Sequence, residues 1–175
     1  MKNQTLLSET AYQGKAFKVR RDQVSLPDGH IARLDIVEHV GAVTILPLDD
    51  KERIWFVRQY RHPAGQELLE LPAGTLEPGE PPEACARREI REEVGQAAGK
   101  LRKLGEFFLA PGYSTETMHV FLATELQPDP LPGDHDEFIN VEVYPRAEAF
   151  QMVLRGEIQD AKTLATLLLA QPWLS

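Results

Sequence analysis

A length of 175 residues, 42% hydrophobic and 26% charged, suits one soluble globular domain with a sizeable core. The net charge of −8 argues against a nucleic-acid or anionic-membrane binder, yet it leaves room for a small phosphorylated substrate, because a bound metal inverts the local field. No apolar run reaches the roughly 18 residues of a membrane span, the lone Cys85 has no internal disulfide partner, and no signal peptide opens the chain, so a reducing, cytoplasmic setting is expected.

Residues 1–40 read as strands. Phe17 to Val24 alternates imperfectly, Leu26-Pro27-Asp28-Gly29-His30 signals a hairpin turn, and Ile31 to Val40 alternates more cleanly. An antiparallel segment therefore precedes a core over 41–175, within one domain. Gly41 to Leu48 is apolar enough for a buried strand, and Arg53 to Tyr60 is a second. A long connection over Arg61 to Glu67 leads to a strand at Leu68 to Ala73. Arg58 and Arg61 flank Tyr60 near a strand end, where an arginine forks onto a phosphate or simply meets solvent.

The stretch from Gly74 to Gln96 packs six Glu and three Arg into twenty-three residues. Pro81 and Pro82 suit a helix start, Glu80 and Glu83 complement its dipole, and Gly95 ends it. Glu89, Glu92 and Glu93 stand at i, i+3 and i+4 and share a face. Like charges so placed repel by a few tenths of a kcal/mol per pair, roughly. A solvated acidic face tolerates that; a hard divalent cation removes it. Ala84, Ile90 and Val94 offer the opposite face to the core. Cys85, among alanines, reads as a buried thiol rather than a nucleophile.

Gly99 to Phe108 and Thr117 to Leu126 read as two more strands around the turn-forming Pro111-Gly112. Gln127 to Phe138 is a proline-rich acidic loop in which Asp134, His135, Asp136 and Glu137 crowd together. Ile139 to Tyr144 is a last strand. A helix over Pro145 to Leu154 and another capped by Asp160 follow, the latter packing through Leu164, Leu167 and Leu168.

Gly74, Glu80, Arg88-Glu89-Ile90, Glu92-Glu93 and Gly95, with the gaps between them, resemble the signature of the Nudix hydrolases; Gln96 stands where that family prefers an aliphatic residue. Pro111, fifteen residues beyond Gln96, and the segment Pro111 to Glu116 resemble the ADP-ribose pyrophosphatases of that family, as does Gln59-Tyr60-Arg61. The resemblance implies an α+β chain, an α/β/α sandwich with a mixed sheet, preceded by the antiparallel segment. It implies Mg²⁺-dependent hydrolysis of ADP-ribose to AMP and ribose 5-phosphate, with Mn²⁺ as a substitute. It assigns metal binding to the Ala73 carbonyl, Glu89 and Glu93, with Glu92 on a further ion or acting as auxiliary base, and gives Arg88 and Glu80 orienting roles. Glu137 is implied in metal binding and catalysis, and the base is left among Glu137, His135 and Asp136. Substrate contacts fall to Arg61, Gly112, Glu116, Phe17 and His39. A homodimer built through the N-terminal strands is implied. GDP-mannose or ADP-glucose is the alternative substrate, and a non-cleaving ADP-ribose sensor the alternative outside enzymes, disfavoured because all three motif glutamates are present.

Overall fold

A computed structural model describes residues 3–15, 17–133 and 138–174. The chain divides into two compact units, residues 1–41 with 108–117, and residues 42–107 with 118–175.

The smaller unit is a meander of β1 (Gln4–Gln13), β2 (Lys18–Ser25) and β3 (Ile31–Glu38), antiparallel throughout. The predicted hairpin turn forms: Gly29 takes φ +87°, a conformation that glycine adopts without a Cβ penalty, and its N–H donates to the Leu26 carbonyl at 2.9 Å. The segment 108–117 belongs to this unit. It docks along β3 as Val37 N–H donates to the Tyr113 carbonyl at 2.8 Å and Thr115 N–H to the Val37 carbonyl at 3.0 Å.

The larger unit has two sheets. In one, β4 (Ala42–Pro47) runs parallel to β9 (Thr117–Pro128) and antiparallel to β7 (Ala73–Thr75), with β8 (Gln96–Phe108) outside β9. In the other, β5 (Arg53–Arg61) is central between β6 (Gln66–Glu70) and β10 (Ile139–Pro145), both antiparallel to it. The side-chain alternation of β4 splits the core. Val43 and Ile45 pack with Cys85, Ala86 and Ile90 of α1 (Pro82–Val94), whereas Leu46 packs with Met152 of α2 (Arg146–Leu154) and Leu167 of α3 (Ala161–Ala170). Helices on both faces of a mixed sheet make the expected α/β/α sandwich, and the antiparallel segment precedes it in the sequence.

Three details differ from the sequence reading. The stretch 61–67 is no long connection: a single 3-10 turn at His62–Ala64, ended by Gly65 at φ +66°, joins β5 to β6 as a hairpin. On α1 the buried face carries Cys85, Ala86, Ile90 and Val94, and Ala84 is exposed, a rotation by one residue. On α3, Leu167 is buried but Leu168 is 66% exposed, and Thr163, Thr166 and Ala170 complete the inner face. The Asp160 carboxylate caps the Thr163 N–H at 2.9 Å as expected, and the Thr163 hydroxyl also accepts the Leu71 N–H at 2.8 Å. That tie turns the hydroxyl-bearing face inward. Among the described residues no helix is long and apolar enough to cross a membrane.

Candidate active site

Helix α1 starts where its prolines dictate. Pro81 is extended at the N-cap, Pro82 opens the first turn, and Gly95 closes the helix at φ +69° with its N–H on the Ile90 carbonyl. Burial of Ile90 and Val94 on one side leaves Arg88, Glu89, Glu92 and Glu93 on a pocket of about 570 Å³, whose opposite wall is the backbone of Ala73, Gly74 and Thr75.

Arg88 is the hub of this pocket. Its Nε and Nη2 donate to the two oxygens of Glu80 at 3.1 and 3.0 Å, and its Nη1 donates to Glu89 at 2.6 Å and Glu92 at 2.9 Å. Planar guanidinium donors fit carboxylates in this forked manner. The Arg88 fork, helped by the Glu77 N–H, holds the Glu80 carboxyl down at about 2. Arg88 in turn is pushed above its ordinary range, first by Glu80 and then by Glu89 and Glu92. Glu93 accepts the Ala73 N–H at 3.0 Å, which pins the strand carrying the Ala73 carbonyl to the acidic face.

Gly74 is required by a contact that its own strand does not reveal. It lies in β7, and a Cβ built there would overlap the carboxyl group of Glu89. Glycine is needed because a carboxylate presses on the backbone. Cys85 is buried beneath this contact, its Sγ 3.6 Å from the Thr75 carbonyl. Burial, and then the Glu89 charge, push its thiol above the ordinary range, so it is a packed thiol and no nucleophile.

The donor chemistry fits a hard divalent cation. Three carboxylates, from Glu80, Glu89 and Glu92, pair with one guanidinium, Glu93 lines the same pocket, and among the described residues no imidazole or thiolate is in its lining. Among the described residues no three acidic, imidazole or thiol side chains already converge as a closed cage. Mg²⁺ does not require one, since it takes one or two carboxylates and completes its shell with water and phosphate oxygens.

The other expected site residues that are described are not in the lining of this pocket. Arg61, at the end of β5, forks onto Glu70 at 2.8 and 2.7 Å, and Glu93 is among the charges that its guanidinium feels. Arg58, half-buried, is paired with Glu142, whose carboxylate also accepts the Tyr144 hydroxyl. Phe17, His39, Gly112 and Glu116 belong to the smaller unit. There, Thr115 brackets His39, accepting its N–H at 2.9 Å, and His39 Nδ1 lies 3.9 Å from the Glu116 carboxylate. Phe17 and His39 line a cavity of about 540 Å³ together with Lys18 and Arg20. Gly112 has open space around it, so no steric crowding demands glycine there. Glu137 and His135, with Asp134 and Asp136, lie outside the described residues.

Sequence reasoning missed Glu70 and Lys162. Both are buried, at 1% and 9% exposure, and they pair with each other. The signal was present: a charge embedded in an apolar strand, LLELP, or an apolar helix, AKTLATLLL, must find a partner or be neutralised.

A NUDIX domain profile matches residues 38–167, and a profile described as the nucleoside diphosphate sugar hydrolase N-terminal domain matches residues 4–33. The chain is 46% identical over 168 residues to an ADP-ribose pyrophosphatase of Mycobacterium tuberculosis, covering 94% of this chain and 81% of that one. It is 39% identical over 165 residues to an ADP-ribose pyrophosphatase of Bacillus subtilis, covering 93% and 89%. Among solved structures, a crystal structure of an ADP compounds hydrolase superposes with a TM-score of 0.89 at 27% identity, covering 99% of this chain and 95% of that one. With its acidic helix, its glycine strand and these relatives in agreement, the chain belongs to the Nudix hydrolase family.

Proposed function

We propose that the protein hydrolyses ADP-ribose to AMP and ribose 5-phosphate with Mg²⁺, Mn²⁺ serving as a substitute. The observation that carries this reading is the acidic face of α1 closed against Ala73 and Gly74, on a chain 46% identical to an ADP-ribose pyrophosphatase over 94% of its length. Water attacks one phosphorus of the diphosphate, the bridging P–O bond breaks, and each half leaves as a phosphate monoester.

Glu89, Glu93 and the Ala73 carbonyl would hold the cation, and Glu92 would hold a further one or act as auxiliary base. Bound there, Mg²⁺ supplies charge neutralisation for the diphosphate and lowers the pKa of the attacking water. Arg88 keeps Glu89 and Glu92 oriented, and Glu80 keeps Arg88 oriented; outer partners of this kind typically matter about tenfold to a hundredfold in affinity or activity. The general base falls among Glu137, His135 and Asp136. Arg61 would meet a phosphate, Glu116 the ribose, and Phe17, His39 and Gly112 would contribute further substrate contacts. The exposed Leu6, Leu7 and Tyr12 of β1 support a homodimer built through the N-terminal strands, and the single cysteine supports a cytoplasmic location.

The test is direct. Purified protein is incubated with ADP-ribose and Mg²⁺ and the products are separated. AMP and ribose 5-phosphate in equal amounts, abolished by EDTA, are expected; no AMP at micromolar enzyme sinks the substrate. The match of residues 4–33 to a domain named for nucleoside diphosphate sugars favours a second reading, in which GDP-mannose or ADP-glucose is preferred. A panel of these compounds ranked by kcat/KM decides between the two.

A further inference from the structure

We infer that Glu70 and Lys162 are positioning residues for Arg61, aiming its guanidinium from a buried anchor; the inference rests on the reading that Arg61 meets a substrate phosphate. Glu70 closes β6 and is 1% exposed. A carboxylate so buried is costly unless cations and hydrogen bonds surround it. Its Oε1 accepts Arg61 Nε at 2.8 Å, and its Oε2 accepts both Arg61 Nη2 at 2.7 Å and Lys162 Nζ. Lys162, in the first turn of α3, is itself 3.0 Å from Asp160 Oδ1.

Exposure separates the roles. The Arg61 side chain is 39% exposed, whereas its anchor is almost wholly buried. The guanidinium is gripped along its Nε–Nη2 edge and stands at the boundary between core and solvent. A forked grip fixes a planar group's direction as a single hydrogen bond cannot. The Glu70 carboxylate is also shared with Lys162, which is paired in turn with Asp160, so the anchor of Arg61 is itself held in place by a second cation. The same anchor is tied to the active-site strand. Leu71, next to Glu70, donates its N–H to the Thr163 hydroxyl at 2.8 Å, and two residues on, the Ala73 N–H reaches Glu93 at 3.0 Å. The first turn of α3 thereby braces the approach to Ala73 and the base of Arg61 together.

Glu70→Gln keeps the size of the side chain but leaves one acceptor oxygen, so the fork is lost. Turnover of ADP-ribose with Mg²⁺ is expected to show KM raised about tenfold with kcat within about twofold, the pattern of lost uniform binding. The ¹H–¹⁵N resonance of Arg61 Nε–H, assigned by its disappearance in Arg61→Lys, is expected to exchange slowly in the wild type and rapidly in Glu70→Gln. An unchanged KM together with a still-protected Nε–H overturns the inference. Absence of ADP-ribose turnover in the wild type would instead overturn the proposed function, and the exchange measurement then decides the positioning role by itself. Should Glu70→Gln fail to fold, Lys162→Met serves, since it leaves the fork but removes its pin. A KM raised about threefold, restored by Lys162→Arg, supports the inference, and wild-type KM and exchange refute it.

Discussion

Gly74→Ala tests the geometry of the site most sharply, because the three atoms nearest the added methyl all belong to one side chain. Its Cβ would overlap Cδ and both oxygens of Glu89, while Gly74 itself lies in a strand whose backbone alanine adopts freely. Glu89 must therefore swing away, and its 2.6 Å bond to Arg88 goes with it. Overpacking of this kind costs about 1–3 kcal/mol. At roughly 2–4 °C per kcal/mol for a chain of this size, the melting temperature should fall by about 2–12 °C. Displacement of a carboxylate proposed to hold the cation should weaken Mn²⁺ binding, read by calorimetry, about tenfold to a hundredfold. The decisive arm is the double variant. Glu89→Ala in the Gly74→Ala background removes the group being struck, so the stability lost to the methyl should be recovered while cation affinity stays low. A melting temperature and an affinity that Gly74→Ala leaves at wild-type values would refute the contact. So would a penalty that is simply additive with that of Glu89→Ala, because groups in contact couple by about 0.5–3 kcal/mol.

Glu93→Gln should remove most ADP-ribose turnover and leave the circular dichroism spectrum unchanged, since an amide oxygen still accepts the Ala73 N–H; near-wild-type rate would contradict the cation assignment. Ile90→Ala, fully buried against the β4 side of α1, should cost about 2–5 kcal/mol in urea unfolding, whereas Ala84→Ser on the exposed side should stay within about 0.5 kcal/mol. The Glu80–Arg88 pair carries a pH signature. Because the folded carboxyl titrates at about 2 against an ordinary value of 4.5, its stabilisation is complete above pH 4.5 and drains as pH falls toward 2. The stability gap between wild type and Glu80→Gln should therefore narrow across that window, and a gap independent of pH would show that the charge on Glu80 contributes nothing.

The acidic helix could be read from sequence because everything that makes it is local. The glutamate spacing, the opening prolines and the closing glycine all act within one or two turns. The sandwich was implied by the family resemblance, whereas the stretches Gly41 to Leu48 and Arg53 to Tyr60 by themselves indicated only that strands lie there. Errors appeared where one residue of rotation decides the outcome. Ala84 and Cys85 are both small and apolar enough to be buried, and only the packing of Ile45 and Phe121 against α1 selects Cys85. Leu168 looked like core by composition, but the Thr163 tie to Leu71 set the helix phase and turned it to solvent.

The contacts that sequence could not supply are those made across the chain, and they are the ones that hold the site together. Lys162 and Glu70 are 92 positions apart, and each alone looks like a misplaced charge. Nothing local accounts for Gly74, because the carboxylate that needs its bare Cα comes from the next helix. A linear motif thus names the groups proposed to face a cation and, in Arg88 and Glu80, the groups that orient them, whereas Arg61 is held by partners outside it. Substitutions at Glu70, Lys162 or Thr163, none of which belongs to the signature, should accordingly alter substrate affinity in a chain whose signature is intact.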